Sequence, residues 1–295
     1  MTTRRELSIG YALVLVSAVA FSGKAVLAKL MYRDGVDPLS VIALRMAFSL
    51  PVFALSAWRN ERRAPRLTAR DALAITLLGG VGYYASVYGD FAGLAHISAG
   101  LERLLMFTYP TLVLLMSAAA FKQPIQRFQV LCLLITYAGI ALAVSAELEP
   151  SQGNLWLGSA LVFASAFCYA AYLVGGTSYI DRLGARRFTS LSLSAACLAA
   201  LVHFAFSGRT LLGLGARAYA LSAAMALFAT VLPAFALSTG IRRIGPSPAA
   251  VIGTIGPVAT LFMAHWLLGE GLGPLQLAGA LLVVVGATLV AFRGR

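Results

Sequence analysis

Residues 97–139 read ISAGLERLLMFTYPTLVLLMSAAAFKQPIQRFQVLCLLITYAG, and residues 244–286 read IGPSPAAVIGTIGPVATLFMAHWLLGEGLGPLQLAGALLVVVG. Laid side by side, they set Pro110 opposite Pro257, Gln123 opposite Glu270, Gln129 opposite Gln276 and Gly139 opposite Gly286. A weaker match places Gly10, Ser17, Ala18 and Phe21 beside Gly158, Ser165, Ala166 and Tyr169. Each stretch holds two apolar runs separated by a short turn, and about 20 apolar residues are what one helix needs to cross a bilayer. Repeats of whole helical units are common in transporters and decide how a chain is divided. Apolar helices share a small alphabet, so chance likeness is the competing explanation.

Working outward, the rest of the chain has the same texture. Of its 295 residues 60% are hydrophobic and only 12% charged, against roughly half and a quarter in a soluble domain. A soluble core of this size cannot absorb that surplus, whereas a bilayer can, because a spanning helix leaves no lipid-facing backbone group unpaired. The pattern predicts ten spans: Leu7–Leu30, Pro38–Trp58, Ala69–Gly93, Ser98–Phe121, Ile125–Ala146, Leu155–Ser178, Phe188–Phe206, Ala216–Ile241, Pro246–Leu268 and Pro274–Phe292. The links between them are too short for a soluble domain. The opening Arg4 and Arg5 followed by an apolar run imitates a secretory signal, but the run is too long and contains Lys24 and Lys29.

A net charge of +12 in a soluble chain would suggest nucleic acid. Here the basic residues sit in clusters between apolar segments: Arg4 and Arg5; Arg59, Arg62, Arg63, Arg66 and Arg70; Lys122 and Arg127; Arg182, Arg186 and Arg187; Arg242 and Arg243; Arg293 and Arg295. All fall on one side of the ten-span arrangement, the pattern of loops retained in the cytoplasm beside anionic lipid. The opposite side holds Lys29, Arg33, Arg209 and Arg217, diluted by Asp34, Asp37, Glu147 and Glu149. A multi-pass protein of the cell inner membrane with both termini cytoplasmic is therefore expected, with membrane lipid as a partner and nucleic acid excluded.

Five helices repeating as five helices must enter the membrane from opposite sides, because five is odd. The expected fold is an all-α integral membrane protein of two inverted five-helix repeats, 1–148 and 149–295, around a central cavity. Cys132, Cys168 and Cys197 lie singly in apolar runs and read as small hydrophobes, without disulfide or metal spacing.

Pro257, Leu261, Phe262, Leu268-Gly269-Glu270, Gly279 and Val285-Gly286 resemble the C-terminal signature of EamA-like proteins in the drug/metabolite transporter superfamily. Lys29 and Leu44-Arg45 resemble the family's N-terminal features. The resemblance covers nearly the whole chain and implies ten helices, a cavity between the repeats, and export of amino acids, drugs or other metabolites. This sequence departs from the pattern in Gln123, where the second copy has Glu270, and in the additional Lys24.

Charge inside a span is costly and marks a functional candidate with a partner. Lys24, Arg45, Asp90, Glu102 and Arg103 all fall in the outer half of the first repeat. Lys24 lies roughly 10 Å, and Glu102 roughly 5 Å, from the outer ends of their expected helices, near enough in depth to meet. The two either contact an amphoteric substrate or a proton, or form a structural ion pair with Arg103 or Asp90. Arg45 reads as a topology or packing residue, and Asp90 and His96 as solvated boundary groups.

Tyr84 and Tyr88 share one helix face, as do Tyr169 and Tyr172, and tyrosine's apolar ring with a hydroxyl suits a cavity for partly polar molecules. Tyr83, Phe107 and Tyr109 are candidates to join them. Trp58, Trp156 and Trp266 sit at expected helix ends and read as interfacial belts, although Trp266 is also within reach of the cavity set. Pro110 and Pro257 interrupt corresponding helices and are expected to kink or gate them, with Gly253, Thr254 and Gly256 lining the second break.

The leading expectation is a secondary transporter exporting small amphipathic metabolites, amino acids first, by alternating access. It needs no cofactor and no metal, and proton or solute counter-transport would supply any coupling, since no phosphate-binding loop is present. A monomer or weak dimer is expected. Drug efflux and a facilitative channel are the alternatives; an intramembrane enzyme is disfavoured because His96, His203 and His265 are scattered.

Overall fold

The computed structural model describes residues 4–61, 67–122, 125–146 and 154–293. Arg62, Arg63, Arg66, Gln123, Glu147, Glu149 and Arg295, and the expected boundary between the repeats at 148, lie outside the described residues. The order is α1 (Arg4–Arg33), α2 (Pro38–Glu61), α3 (Ala69–Leu77), a π-turn (Leu78–Tyr83), α4 (Tyr84–Leu94), α5 (Ala99–Met106), α6 (Tyr109–Phe121) and α7 (Arg127–Ser145). There follow α8 (Leu155–Leu183), α9 (Ala185–Phe206), α10 (Ala216–Ala226), a second π-turn (Leu227–Val231), α11 (Leu232–Ile244), α12 (Pro246–Gly253), α13 (Ile255–Leu268) and α14 (Pro274–Arg293).

Among the described residues, eight helical runs are long and apolar enough to cross a membrane, and Ile255–Leu268 and Pro274–Leu289 are shorter apolar helices. The ninth expected span is thus divided, not continuous. Several other ends differ from expectation by three residues or more, α2 reaching Glu61, α11 reaching Ile244 and α9 starting at Ala185. α1 continues past Leu30 to Arg33, and α8 continues past Ser178 to Leu183, leaving only Gly184 (φ 83°) before α9. Glycine adopts that left-handed conformation without a Cβ clash. Trp156, Phe206 and Trp266 are 70%, 88% and 80% exposed, outward apolar surface of the kind a bilayer covers.

Prolines explain the two divided helices. Pro110 lies four residues after Met106, the last residue of α5, and Pro257 four after Gly253, the last of α12. A proline ring displaces the carbonyl four residues back and supplies no N–H to bond it. The helix stops, and proline occupies the first turn of the next piece, where its missing N–H costs nothing. The kinks expected at Pro110 and Pro257 are therefore short interruptions placed about one turn earlier, at which Thr108 and Thr254 keep right-handed helical dihedrals. Both second pieces end in a left-handed residue, Lys122 (φ 54°) and Gly269 (φ 68°), again corresponding positions. The π-turns were not expected. Shifted by 147, the spacing of Pro110 and Pro257, residues 78–83 fall on 225–230 and overlap Leu227–Val231.

Helix packing follows the same correspondence. Ser17 on α1 donates to the Pro233 carbonyl of α11 at 2.8 Å, and Ser165 on α8 donates to the Ser86 carbonyl of α4 at 2.6 Å. A Cβ placed on Gly240 would lie 2.4 Å from Val14, and one on Gly93 2.6 Å from Val162. On α7 and α14, a Cβ on Gly139 would lie 2.6 Å from the Gly279 carbonyl, and one on Gly286 2.8 Å from the Cys132 carbonyl. Numbers rise along α7 as they fall along α14, so this pair crosses antiparallel. Small residues here let backbones touch, the means by which membrane helices gain packing energy where lipid offers no hydrophobic drive.

Candidate functional site

The site begins where α1, α4 and α5 meet. Lys24 of α1 is within hydrogen-bonding reach of Asp90 Oδ2 of α4, and its Nζ lies 3.2 Å from Glu102 Oε1 of α5. Side-chain exposure is 12% for Lys24, 6% for Asp90 and 0% for Glu102. Two carboxylates thus share one ammonium in a setting from which water is nearly excluded. Among the described residues, Asp90 Oδ1, Glu102 Oε2 and Arg103 Nε are buried without a hydrogen-bond partner. Such atoms are rare in stable cores and call for a role.

Neighbouring cations frame the cluster. Phe91 lies between the Lys24 ammonium (5.6 Å from the ring centroid) and the Arg45 guanidinium (5.3 Å). Arg45 is buried and its Nε donates to Thr230 Oγ1 of the second π-turn at 2.9 Å, so it ties the first half of the chain to the second beside the cluster. Arg103 follows Glu102 on α5 and reaches the other broken helix. Its Nη2 lies 3.1 Å from where a Gly256 Cβ would stand, so a side chain there would crowd the guanidinium. Ser22 Oγ donates to the Gly256 carbonyl at 2.9 Å, next to the α12–α13 break. The ionic groups are thereby set beside discontinuous helices, whose free carbonyls and N–H groups serve polar solutes in membrane carriers.

Above the cluster, polar ties link the helices at the end opposite the basic clusters. Arg33 bonds the Leu268 carbonyl at the end of α13, Asp34 pairs with Arg217 at 3.2 Å, and Asp37 with Arg209 at 2.5 Å. Glu270 accepts from the backbone N–H groups of Ala99 at 3.0 Å and Gly100 at 3.3 Å. Its carboxylate therefore completes the N-terminus of α5, where negative charge meets the helix dipole, and anchors the helix that carries Glu102.

The tyrosines divide into two groups. Tyr83 stands 6.2 Å from Tyr169 and 5.3 Å from Tyr172; Tyr109 stands 5.1 Å from Tyr169 and 6.1 Å from Phe107. Tyr172 is buried and its hydroxyl lies 2.9 Å from Ser192 Oγ. These rings lie together between the helices of the two halves. Tyr84 and Tyr88 are set apart from them. Both pack on His203 of α9, with Tyr84 Oη 2.5 Å from His203 Nδ1, and Tyr88 is 39% exposed. Gly253 has open space where a side chain would project, and Thr254, at the break, is buried.

Of the two sequence readings of Asp90, the structure bears out the ion-pair partner of Lys24 and overturns the solvated boundary group. Its place four residues before the end of α4 suggested the boundary, but the longer α1 rises past it and covers it. Arg45 combines the packing role expected of it with a position next to the charged cluster. The cap made by Glu270 was missed; the signal lay in its position just after a helix-ending glycine, which frees it to reach a neighbouring terminus. Among the described residues, no group of three or more His, Cys, Asp or Glu side chains is arranged to hold a metal.

An all-helical, multi-pass arrangement with buried charge beside broken helices defines the class of membrane transporters. The profile of the EamA-like transporter family matches residues 8–145 and again 156–292, and the chain belongs to that family. The uncharacterized transporter YcbK of Bacillus subtilis is 29% identical over 282 residues, covering 93% of this chain and 90% of that one. An uncharacterized transporter of Archaeoglobus fulgidus is 26% identical, covering 94% of this chain and 97% of its own. One crystal structure superposes with a TM-score of 0.66 at 16% identity, covering 96% of both chains, a likeness of fold alone.

Proposed function

We propose that this chain is a secondary transporter of the cell inner membrane that exports small amphipathic metabolites, amino acids first, by alternating access of two inverted five-helix repeats, 1–148 and 149–295. In this reading ten helices span the bilayer, both termini are cytoplasmic, and the protein works as a monomer or weak dimer without hydrolysing ATP. The matched π-turns, matched breaks, matched serine bonds and the antiparallel α7–α14 crossing support the inverted arrangement. The one-sided basic clusters support the orientation.

The observation that carries the solute class is the set of three buried, unpartnered polar atoms on Asp90, Glu102 and Arg103. A zwitterion presents an ammonium to a carboxylate and a carboxylate to a guanidinium, and this set offers both. The tyrosine group of Tyr83, Tyr109, Tyr169 and Tyr172 then provides an apolar, hydrogen-bonding wall for the side chain. Lys24 holds the two carboxylates charged, and the solute ammonium adds to that set at their second oxygens, so loss of Lys24 disables the site. A proton competes at Glu102, which makes it the coupling carboxylate.

Counterflow in proteoliposomes tests this. Saturable exchange of amino acids by the wild type, abolished in Lys24→Ala and made independent of pH in Glu102→Gln, is the expected outcome. Flux without saturation would identify a channel, and normal amino-acid exchange by Lys24→Ala would overturn the zwitterion reading.

A further inference from the structure

A second site lies away from the charged cluster, at the end of the bundle where the basic clusters gather. α2 touches the α10 portion of its neighbouring rod, and past the second π-turn α11 draws away from it. The gap is a cavity of about 360 Å³ lined by Val52, Leu55, Ser56, Arg59, Arg186 and Phe235. Val52 and Leu55 are 38% and 46% exposed, so the cavity opens to the surroundings of the bundle. Arg59 is in the last turn of α2 and Arg186 in the first turn of α9. Val52 lies seven residues before Arg59, about 10 Å deeper along the helix. The Ser190 hydroxyl, 2.8 Å from both Ser56 Oγ and the Arg186 carbonyl, fastens α2 to α9 beneath the arginine pair.

Resting on the membrane orientation proposed above, we infer that this cavity binds an anionic phospholipid of the cytoplasmic leaflet. The phosphate sits between Arg59 and Arg186 and one acyl chain lies along Val52, Leu55 and Phe235. The vertical order of the lining is that of a lipid: cationic groups at headgroup level, apolar groups about one to two helical turns below, and no acidic residue among them. Guanidinium groups suit phosphate because their donors match its oxygens two at a time.

The corresponding fissure in the other half supports a ligand-specific feature. By the spacing of 147, Leu55 corresponds to Val202, Ser56 to His203, Arg59 to Phe206 and Phe235 to Tyr88. That fissure carries no arginine, and its space is taken by the Tyr84, Tyr88 and His203 rings, with His203 5.3 Å from Tyr88. The fold therefore does not require an arginine pair or an empty groove at this place; the cytoplasmic fissure has both.

Native mass spectrometry of the full chain in detergent, titrated with phosphatidylglycerol or phosphatidylcholine, tests the inference without any transport step. Retention of phosphatidylglycerol over phosphatidylcholine is expected, with a loss of roughly twenty-five-fold in apparent affinity for Arg59→Ala with Arg186→Ala, at about fivefold per basic residue. Arg127→Ala with Arg242→Ala, a basic pair outside the cavity, should bind as the wild type does. Leu55→Trp, which fills the groove and keeps both arginines, should also lose the lipid. Equal binding by the double arginine variant, equal loss in the control pair, unchanged binding by Leu55→Trp, or displacement of the lipid by millimolar inorganic phosphate would each overturn it.

Discussion

Replacing Lys24 by Met removes the one ammonium that Asp90 and Glu102 share while keeping the length of the side chain. Both carboxylates are almost fully withdrawn from solvent, at 6% and 0% exposure, so water compensates little for the lost ammonium. Breaking a buried ion pair on one side costs about 3–5 kcal/mol, because the remaining charge stays buried and uncompensated. Adding Asp90→Asn removes one of the two stranded charges and should restore roughly half of that loss. Adding Glu102→Gln as well should bring stability close to the wild type, since a neutral set of similar volume has no charge to desolvate. Unfolding by sodium dodecyl sulfate in mixed micelles, followed by circular dichroism, ranks the four proteins. Export should remain lost throughout the series, because the stabilised variants lack the groups that hold solute. A Lys24→Met protein within about 0.5 kcal/mol of the wild type, or a series that fails to recover stepwise, would refute the buried-cluster argument. Recovered export in the triple variant would refute the transport role while leaving the packing argument intact.

Two further outcomes test the framework around the cluster. Gly286→Ala would place a Cβ 2.2 Å from Thr136 Oγ1 and 2.8 Å from the Cys132 carbonyl, so α7 and α14 must part, at a cost of about 1–3 kcal/mol visible as a lowered melting temperature in detergent. Glu270→Ala strips the carboxylate from the Ala99 and Gly100 N–H groups and should cost about 1–2 kcal/mol. Because α5 carries Glu102, that variant should also weaken the half-saturating concentration for export, whereas Glu270→Gln should retain part of both.

Much of the architecture was legible from residue type and spacing alone. Apolar run length marks a span, because the bilayer imposes one length on every crossing helix. The equal spacing of Pro110 and Pro257 and of Gly139 and Gly286 marked the repeat, and the structure places those glycines on the α7–α14 contact and those prolines at matched breaks. The meeting of Lys24 and Glu102 was readable from depth. The π-turns were not, since an extra residue in a helical turn changes no composition. The fate of the tyrosines was also hidden: spacing puts Tyr84 and Tyr88 on one face but does not say whether that face meets the tyrosine group or His203.

The sequence by itself determined that the chain lies in a membrane, where its long apolar runs fall, and that its two halves match one family profile. Those properties follow from local composition, because hydrocarbon selects for length and hydrophobicity one helix at a time. Tertiary structure alone decided that Asp90 joins Lys24 and Glu102, that Arg45 bonds Thr230, that Glu270 caps α5, and that one fissure stands open while its counterpart is filled by rings. Each of these depends on the rotation of one helix against another. That rotation is set by close contacts at glycines and serines far apart in the chain, and no local pattern encodes it.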